Sequence, residues 1–521
     1  MGEPQRSGVH RLSWGAALAV GCVLRLLPIC AARPYIAYVD EGNFLHAVAA
    51  MLRTGEWDPG EYLYPELPRL AVAAGARVYA PLYRLRHGSD LRESVSPPPE
   101  VYDRLQPFAL LGIARGIDVS LGMGTVVLAA LLAASLAGPA AGGAALWLAA
   151  LAPALVLRAP IASVDSSATF FATLCLYFCA RASRSSRPGL LYLLAGGAAG
   201  FAFASKYPAV LVATAATLTA LITKLRWNER LRRVALLGAG VVAGTIVAMP
   251  AVVTRTRDVI AAIRVQGAAY TSFASGTPLW RQALWRAEWD FPYEHPELGV
   301  LFVAAAAAGL VAMLRGRETA PAGWGWAAWA AASLALYATR TFQPFRNAMP
   351  LVPAACAAAG IGYARLRSRL PRPLRLDATA LACLLMMWGA PLAAYGWRRA
   401  RLADSRRLAV DWLAGHSKDR EATLIVRDLG ILDTELARVS GRKDVRWWSE
   451  SEPAIRELAP DRIVAGVQRQ TNGATDDAAL EPWIAARYRV VARFGSRATA
   501  PLAGWWRGND QVVYVFERVA R

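Results

Sequence analysis

"IARGIDVSLGMGTVVLAALLAASLA", residues 113–137, is one long run dominated by alanine, leucine and valine. As a helix it is long enough to cross the roughly 30 Å hydrocarbon core of a bilayer. Similar runs recur at 12–31, 140–157, 165–181, 189–205, 208–223, 234–254, 297–314, 323–339, 348–364 and 376–397. The 521 residues are 55% apolar and 18% charged, the composition of an integral membrane protein. About eleven transmembrane helices are predicted. The first run ends in "CAA" (30–32) like a cleavable signal. With further spans following it, retention as a membrane helix is the reading adopted.

Charge and cysteine narrow the class. A net charge of +20 raises the question of a nucleic-acid partner. No RNP pattern, zinc-ligand spacing or aromatic–basic interleaving supports one, so no nucleic acid is expected. Membrane topology accounts for the charge instead. With a cytoplasmic N-terminus, "ASRSSRP" (182–188), "KLRWNERLRR" (224–233), "RGRETAPA" (315–322) and "RLRSRLPRPLR" (365–375) all fall inside, as the positive-inside rule requires. The six cysteines lie in apolar stretches and read as small core residues, without a disulfide framework or metal spacing.

The chain divides at the last span. Residues 1–397 form the membrane part, with two long outer loops at 32–112 and 255–296. From 398 to 521 the pattern changes to amphipathic runs such as "SRRLAVDWLAGH" and "EPAIRELA". These alternate with the strand-like "ATLIVRD", "DRIVAGV", "YRVVARF" and "QVVYVFERV". This predicts a soluble α/β domain on the extracytoplasmic side, with no nucleotide-binding glycine loop.

Threading the spans brings unusual polar residues to one face. "YVDEGNFLHAVAAMLRTGEWDP" (38–59) opens the first outer loop with Asp40 and Glu41. A short amphipathic helix follows, with Phe44, Leu45, Val48 and Leu52 on one stripe, His46 on its surface and Gly55 as its stop. Arg158 and Asp165 share the outer turn before the fourth span, where Asp165 suits a helix N-cap. Lys206 lies between the fifth and sixth spans, where it could also snorkel to the interface, and Arg340 and Arg346 precede the tenth. Arg346 meets both an unfavourable helix dipole and an unfavourable membrane side, and an anionic partner resolves both objections. Cations that neutralise a departing phosphate, with a carboxylate that takes an acceptor proton, suit transfer of a sugar carried on a lipid phosphate.

The set resembles the GT-C superfamily of polyprenyl-phosphate-dependent glycosyltransferases, in the branch with protein O-mannosyltransferases and aminoarabinose transferases. The resemblance rests on "VDEGNF", "YLYPELP", "GIARGID", "VDSSATFFATL", "GFAFASKYPA" and "FRNAMPLVPAACAAAG", in the family's order across about residues 12–397. It implies a catalytic role for Asp40, with Glu41 as its companion and Asp165 as the second outer acid. Lys206, Arg346 and Arg158 are then the cations at the lipid phosphate. Tyr64-Pro65-Glu66 departs from the aminoarabinose-transferase pattern, lacking its lysine and second proline. Tyr64, Glu294 and His295 are candidate acceptor or phosphate contacts. No cofactor is expected, with a divalent ion as the alternative, since one histidine and scattered acids have no ligand spacing.

The reading is an inverting transferase in a bacterial cytoplasmic membrane, acting between a polyprenyl-phosphate sugar and an envelope acceptor in the surrounding lipid. A binding or transport protein for a lipid-linked sugar is the alternative; it would call for inverted repeats and broken midplane helices. Eleven spans put the C-terminus outside. A topology reporter fused after Arg521 is expected to signal from the extracytoplasmic side. A cytoplasmic signal would mean a miscounted span and would scatter the proposed site over two faces.

Overall fold

The computed structural model describes residues 3–30, 39–95, 108–272, 296–338, 345–369, 371, 397, 405–416, 423–426, 446–448, 460–467, 486–494 and 512–519. The chain opens with α1 (Glu3–Leu26), α2 (Val39–Thr54), α3 (Leu67–His87), the single turn α4 (Leu91–Ser94) and the long α5 (Phe108–Ala137). Then come α6 (Pro139–Leu151), α7 (Pro153–Arg158), α8 (Asp165–Ala182), α9 (Pro188–Ser205), α10 (Val212–Ile222) and α11 (Trp227–Ala248). After these lie α12 (Ala251–Thr254), α13 (Thr256–Ser272), α14 (Pro296–Arg315), α15 (Ala320–Ala338), α16 (Leu351–Arg369) and α17 (Ser405–His416).

Four stretches among the described residues have the length and hydropathy to cross a membrane: Ser13–Cys30, Ala109–Ala137, Pro188–Ser205 and Trp227–Ala248. Ten of the eleven apolar runs coincide with helix, and the run at 376–397 lies outside the described residues but for its last residue. Several runs are not the continuous helices that hydropathy alone suggests. The run at 208–223 opens with a 3-10 turn, Tyr207–Leu211. The run at 234–254 stops at Ala248, before Pro250, and its helix begins at Trp227, inside the expected basic loop. The run at 140–157 breaks between α6 and α7.

That break has a local cause. Pro153 biases Ala152 towards extended backbone (φ −60, ψ 116), and it has no N–H to offer the Ala149 carbonyl one turn back. The missing donor comes from α1. The buried Arg25 guanidinium donates from Nη2 to Ala149 O (3.1 Å) and from Nη1 to Ala150 O (2.9 Å) and Gly21 O (2.9 Å). Two of the carbonyls that the buried charge engages are those left free at the break before Pro153.

Small residues set the helix spacing elsewhere. Gly196 and Gly200 on α9 meet Gly240 and Gly244 on α11, four apart on each helix, so the two backbones touch. Van der Waals packing of this kind is the main attraction open to helices in lipid. The first loop has a core of its own: Phe44, Leu45, Val48 and Leu52 of α2 pack with Val72, Ala73 and Ala76 of α3 and Leu110 and Leu111 of α5. α2 ends at Gly55, whose φ of +82 reverses the chain at little steric cost.

In the C-terminal part, α17 and strands β1 (Thr423–Val426), β2 (Arg446–Trp448), β3 (Arg462–Val467), β4 (Tyr488–Phe494) and β5 (Val512–Arg518) are described. "EPAIRELA" lies outside the described residues. The sheet order is β2-β1-β3-β5-β4, parallel over β2-β1-β3 and antiparallel at β3-β5 and β5-β4. Ala409, Val410 and Leu413 of α17 cover Val464, Val513 and Val515.

The α9–α11 contact can be tested within one helix. A Cβ on Gly240 would strike the Leu193 carbonyl oxygen, whereas one on Gly238 meets nothing within 4 Å. Gly240→Ala is expected to cost about 1–3 kcal/mol. Gly238→Ala should stay within about 0.5 kcal/mol of the parent. Thermal melting of the purified protein in detergent reads the difference, and equal melting of the two variants would exclude the close contact.

Candidate active site

Glu41 stands in the first turn of α2 with no exposed surface. Its Oε1 accepts from Arg115 Nε (2.8 Å) and from the Ala162 amide (3.1 Å), while Oε2 accepts from Arg115 Nη2 (2.8 Å). Arg115, equally buried on α5, also donates from Nη1 to Ile29 O (2.8 Å). Four segments meet on this fork: the end of the first span, α2, α5 and the turn before α8. The bidentate geometry satisfies both charges away from water. Asp40 lies beside Glu41 in the same turn, and its side chain is outside the described residues.

One turn along α5 from Arg115, buried Asp118 takes the next amide of that turn, accepting at Oδ2 from Ser163 N (2.8 Å). The Asp165 amide then donates to Ser163 Oγ (3.3 Å). Carboxylates from α2 and α5 thus hold Ala162 and Ser163, and so fix where α8 begins. The N-cap of α8 is Val164, with no side-chain cap; Asp165 is the first helical residue, not the cap its side chain suggests.

Freed from capping, Asp165 accepts at Oδ1 from Lys206 Nζ (2.7 Å). Lys206 ends α9 in an extended conformation (φ −157, ψ 117) and turns inward instead of snorkelling. Its ammonium also donates to Asn347 Oδ1 (2.7 Å), in the short turn Phe345–Ala348 before α16. An ammonium has three N–H groups. Two are used, and among the described residues the third has no partner, on a side chain 14% exposed. The backbone beside it is anchored as well, since Tyr207 OH donates to Tyr62 O (2.6 Å) and Tyr62 OH to Asp58 Oδ1 (2.7 Å).

Sequence reasoning singled out Glu41, Asp165 and Lys206, and these meet partners at this end of the helices. It missed Arg115 as the partner of Glu41, and it missed Asp118 and Asn347. The signal for Asp118 was present, as an acid three residues after an arginine in an apolar span. Asn347 is a neutral residue beside the more conspicuous Arg346, and nothing local marks it. Arg158 ends α7, half-buried. Arg346 lies in the Phe345–Ala348 turn with its side chain outside the described residues; Arg340, Glu294 and His295 fall outside them entirely. His46 is half-buried on α2.

Tyr64 sits under the buried Arg69 guanidinium, 5.5 Å from its ring centroid. Arg69 organises this loop by donating to Glu61 O (2.9 Å) and Tyr64 O (3.2 Å) and pairing with the Glu61 carboxylate. Glu66, beyond Pro65, accepts from the Ala251 amide (3.4 Å), and burial pushes its carboxyl up to about 7. Among the described residues no group of three or more histidines, cysteines or acids could hold a metal ion.

Known proteins can now be set beside this geometry. Residues 114–253, which include Arg115, Asp118, Arg158, Asp165 and Lys206, match the dolichyl-phosphate-mannose-protein mannosyltransferase family. No curated protein matches by sequence. The structure is similar to ArnT from Cupriavidus metallidurans bound to undecaprenyl phosphate, with a TM-score of 0.56 at 15% identity over 98% of each chain. It is similar to the oligosaccharyltransferase AglB from Archaeoglobus fulgidus, in complex with an inhibitory peptide and a dolichol-phosphate. Here the TM-score is 0.50 at 11% identity, over 88% of this chain and 70% of AglB. The chain has the helical, membrane-type GT-C fold of ArnT and AglB, with four described stretches long and apolar enough to cross a membrane.

Proposed function

We propose that the chain is an inverting glycosyltransferase of the bacterial cytoplasmic membrane. It moves a sugar from a polyprenyl-phosphate donor to an envelope acceptor (a glycan, lipid or protein) at the outer face. The observation that carries the reading is the Lys206 ammonium, held rigidly by two oxygens with its third N–H directed at no described residue. A pre-oriented cation of this kind suits a phosphate whose negative charge grows as the sugar leaves. The similarity to ArnT bound to undecaprenyl phosphate supports the same donor class.

In this mechanism Lys206, with Arg346 and Arg158, holds the donor phosphate. Asp40 takes the proton of the acceptor as its nucleophile attacks the anomeric carbon opposite the departing phosphate. Phosphate leaves without a strong general acid, so one base is enough. A single displacement inverts the anomeric configuration. Glu41 serves by position: its carboxylate is committed to Arg115 and the Ala162 amide, and it fixes the helix turn that carries Asp40. A site on the outer face has no access to cytosolic nucleotide sugars, so the donor arrives on a lipid.

The test is transfer by purified protein in liposomes loaded with a polyprenyl-phosphate sugar. Asp40→Asn is expected to keep donor binding and lose roughly 10²–10⁴ in turnover, the usual contribution of a general base. Normal turnover in this variant would remove Asp40 from the mechanism. An isolated product that retains the donor's anomeric configuration would remove the single displacement.

A further inference from the structure

Asn347 belongs to no motif that composition or hydropathy brings out, yet it sits on the most exposed charge of the buried cluster. Its Oδ1 lies 2.7 Å from Lys206 Nζ, the same distance as the Asp165 oxygen. Lysine only donates, so the oxygen end of the amide must face it. Asn347 is 7% exposed and Asp165 2%, so both acceptor side chains are largely shielded from water.

The choice of residue is chemical, since asparagine and aspartate have nearly the same shape. If the cluster served only to bury an ammonium, a second carboxylate would be the stronger partner. The amide instead takes one N–H and adds no charge. One cation and one carboxylate leave the three-residue cluster neutral; an acid at 347 would leave it with a net negative charge facing any incoming anion. The neutral acceptor therefore fixes the ammonium from a second side while its charge is offset only once.

We propose that Asn347 is a positioning residue for the donor phosphate: its uncharged oxygen aims the remaining N–H of Lys206 and keeps the cluster receptive to an anion. The proposal rests on the reading of Lys206 as the phosphate-binding cation. It assigns to the turn before α16 a part in selecting an anionic lipid headgroup, through Lys206 and without contact with the phosphate.

Binding of undecaprenyl phosphate to the full-length protein in detergent, read beside thermal melting, separates this role from a structural one. Asn347→Asp keeps the acceptor and strengthens the pair with Lys206, so melting should hold or rise. Affinity for the lipid phosphate should nevertheless fall roughly 10- to 100-fold, because a like charge has entered a site of low dielectric. Asn347→Gln, a neutral acceptor, should bind several-fold more tightly than Asn347→Asp. Unchanged affinity in Asn347→Asp, or equal losses in the two variants, would overturn the proposal. Lys206→Met distinguishes the underlying reading: parental affinity there would overturn the phosphate site itself, whereas weakened binding there with an unaffected Asn347→Asp would overturn only the role of Asn347.

Discussion

Glu41 and Arg115 are opposite charges with no exposed surface, and the arrangement of the candidate site depends on their meeting. Taking either charge out of water alone is prohibitive. The pair is tolerated because two parallel hydrogen bonds join the side chains and backbone groups, Ile29 O and the Ala162 amide, engage them further. Removing one partner of such a pair typically costs about 3–5 kcal/mol, because the other charge stays buried. The pair therefore acts as a keystone for the end of the first span, the acidic helix α2, the span α5 and the turn into α8. From that turn the constraint passes through Ser163 to Asp165, and from Asp165 to Lys206.

Two buried arginines, Arg25 and Arg69, take up backbone oxygens at a helix break and in a loop. Arg25 replaces the donor that Pro153 lacks, and Arg69 gathers the carbonyls of the Tyr64-Pro65 loop. Lys206 differs from these two, bound only to side-chain oxygens among the described residues and retaining one N–H. The spare N–H is what fits Lys206 to the proposed role at an anionic substrate. The total of positive charge draws no such distinction.

Most of the apolar runs were legible as helices in the sequence, because hydropathy reports transfer free energies residue by residue. The α2 stripe of Phe44, Leu45, Val48 and Leu52 was legible for the same reason, since helical periodicity is local. The breaks were half legible. Pro153 and Pro250 announce themselves, but the Arg25 side chain that stabilises the first break comes from a helix more than 120 residues earlier. The partner of Glu41 lies 74 residues away and that of Lys206 141 residues away, and no local pattern encodes either pairing. The N-cap reading of Asp165 does not hold: its carboxylate accepts from Lys206, and the helix it begins is left uncapped by any side chain.

The most direct test of the account is an experimental structure with undecaprenyl phosphate bound. The account places a phosphate oxygen within hydrogen-bond distance of Lys206 Nζ, with Glu41 still forked on Arg115 and Asn347 still on the ammonium. A phosphate bound away from Lys206, with the Asp165–Lys206–Asn347 cluster intact and no lipid headgroup beside it, would contradict it.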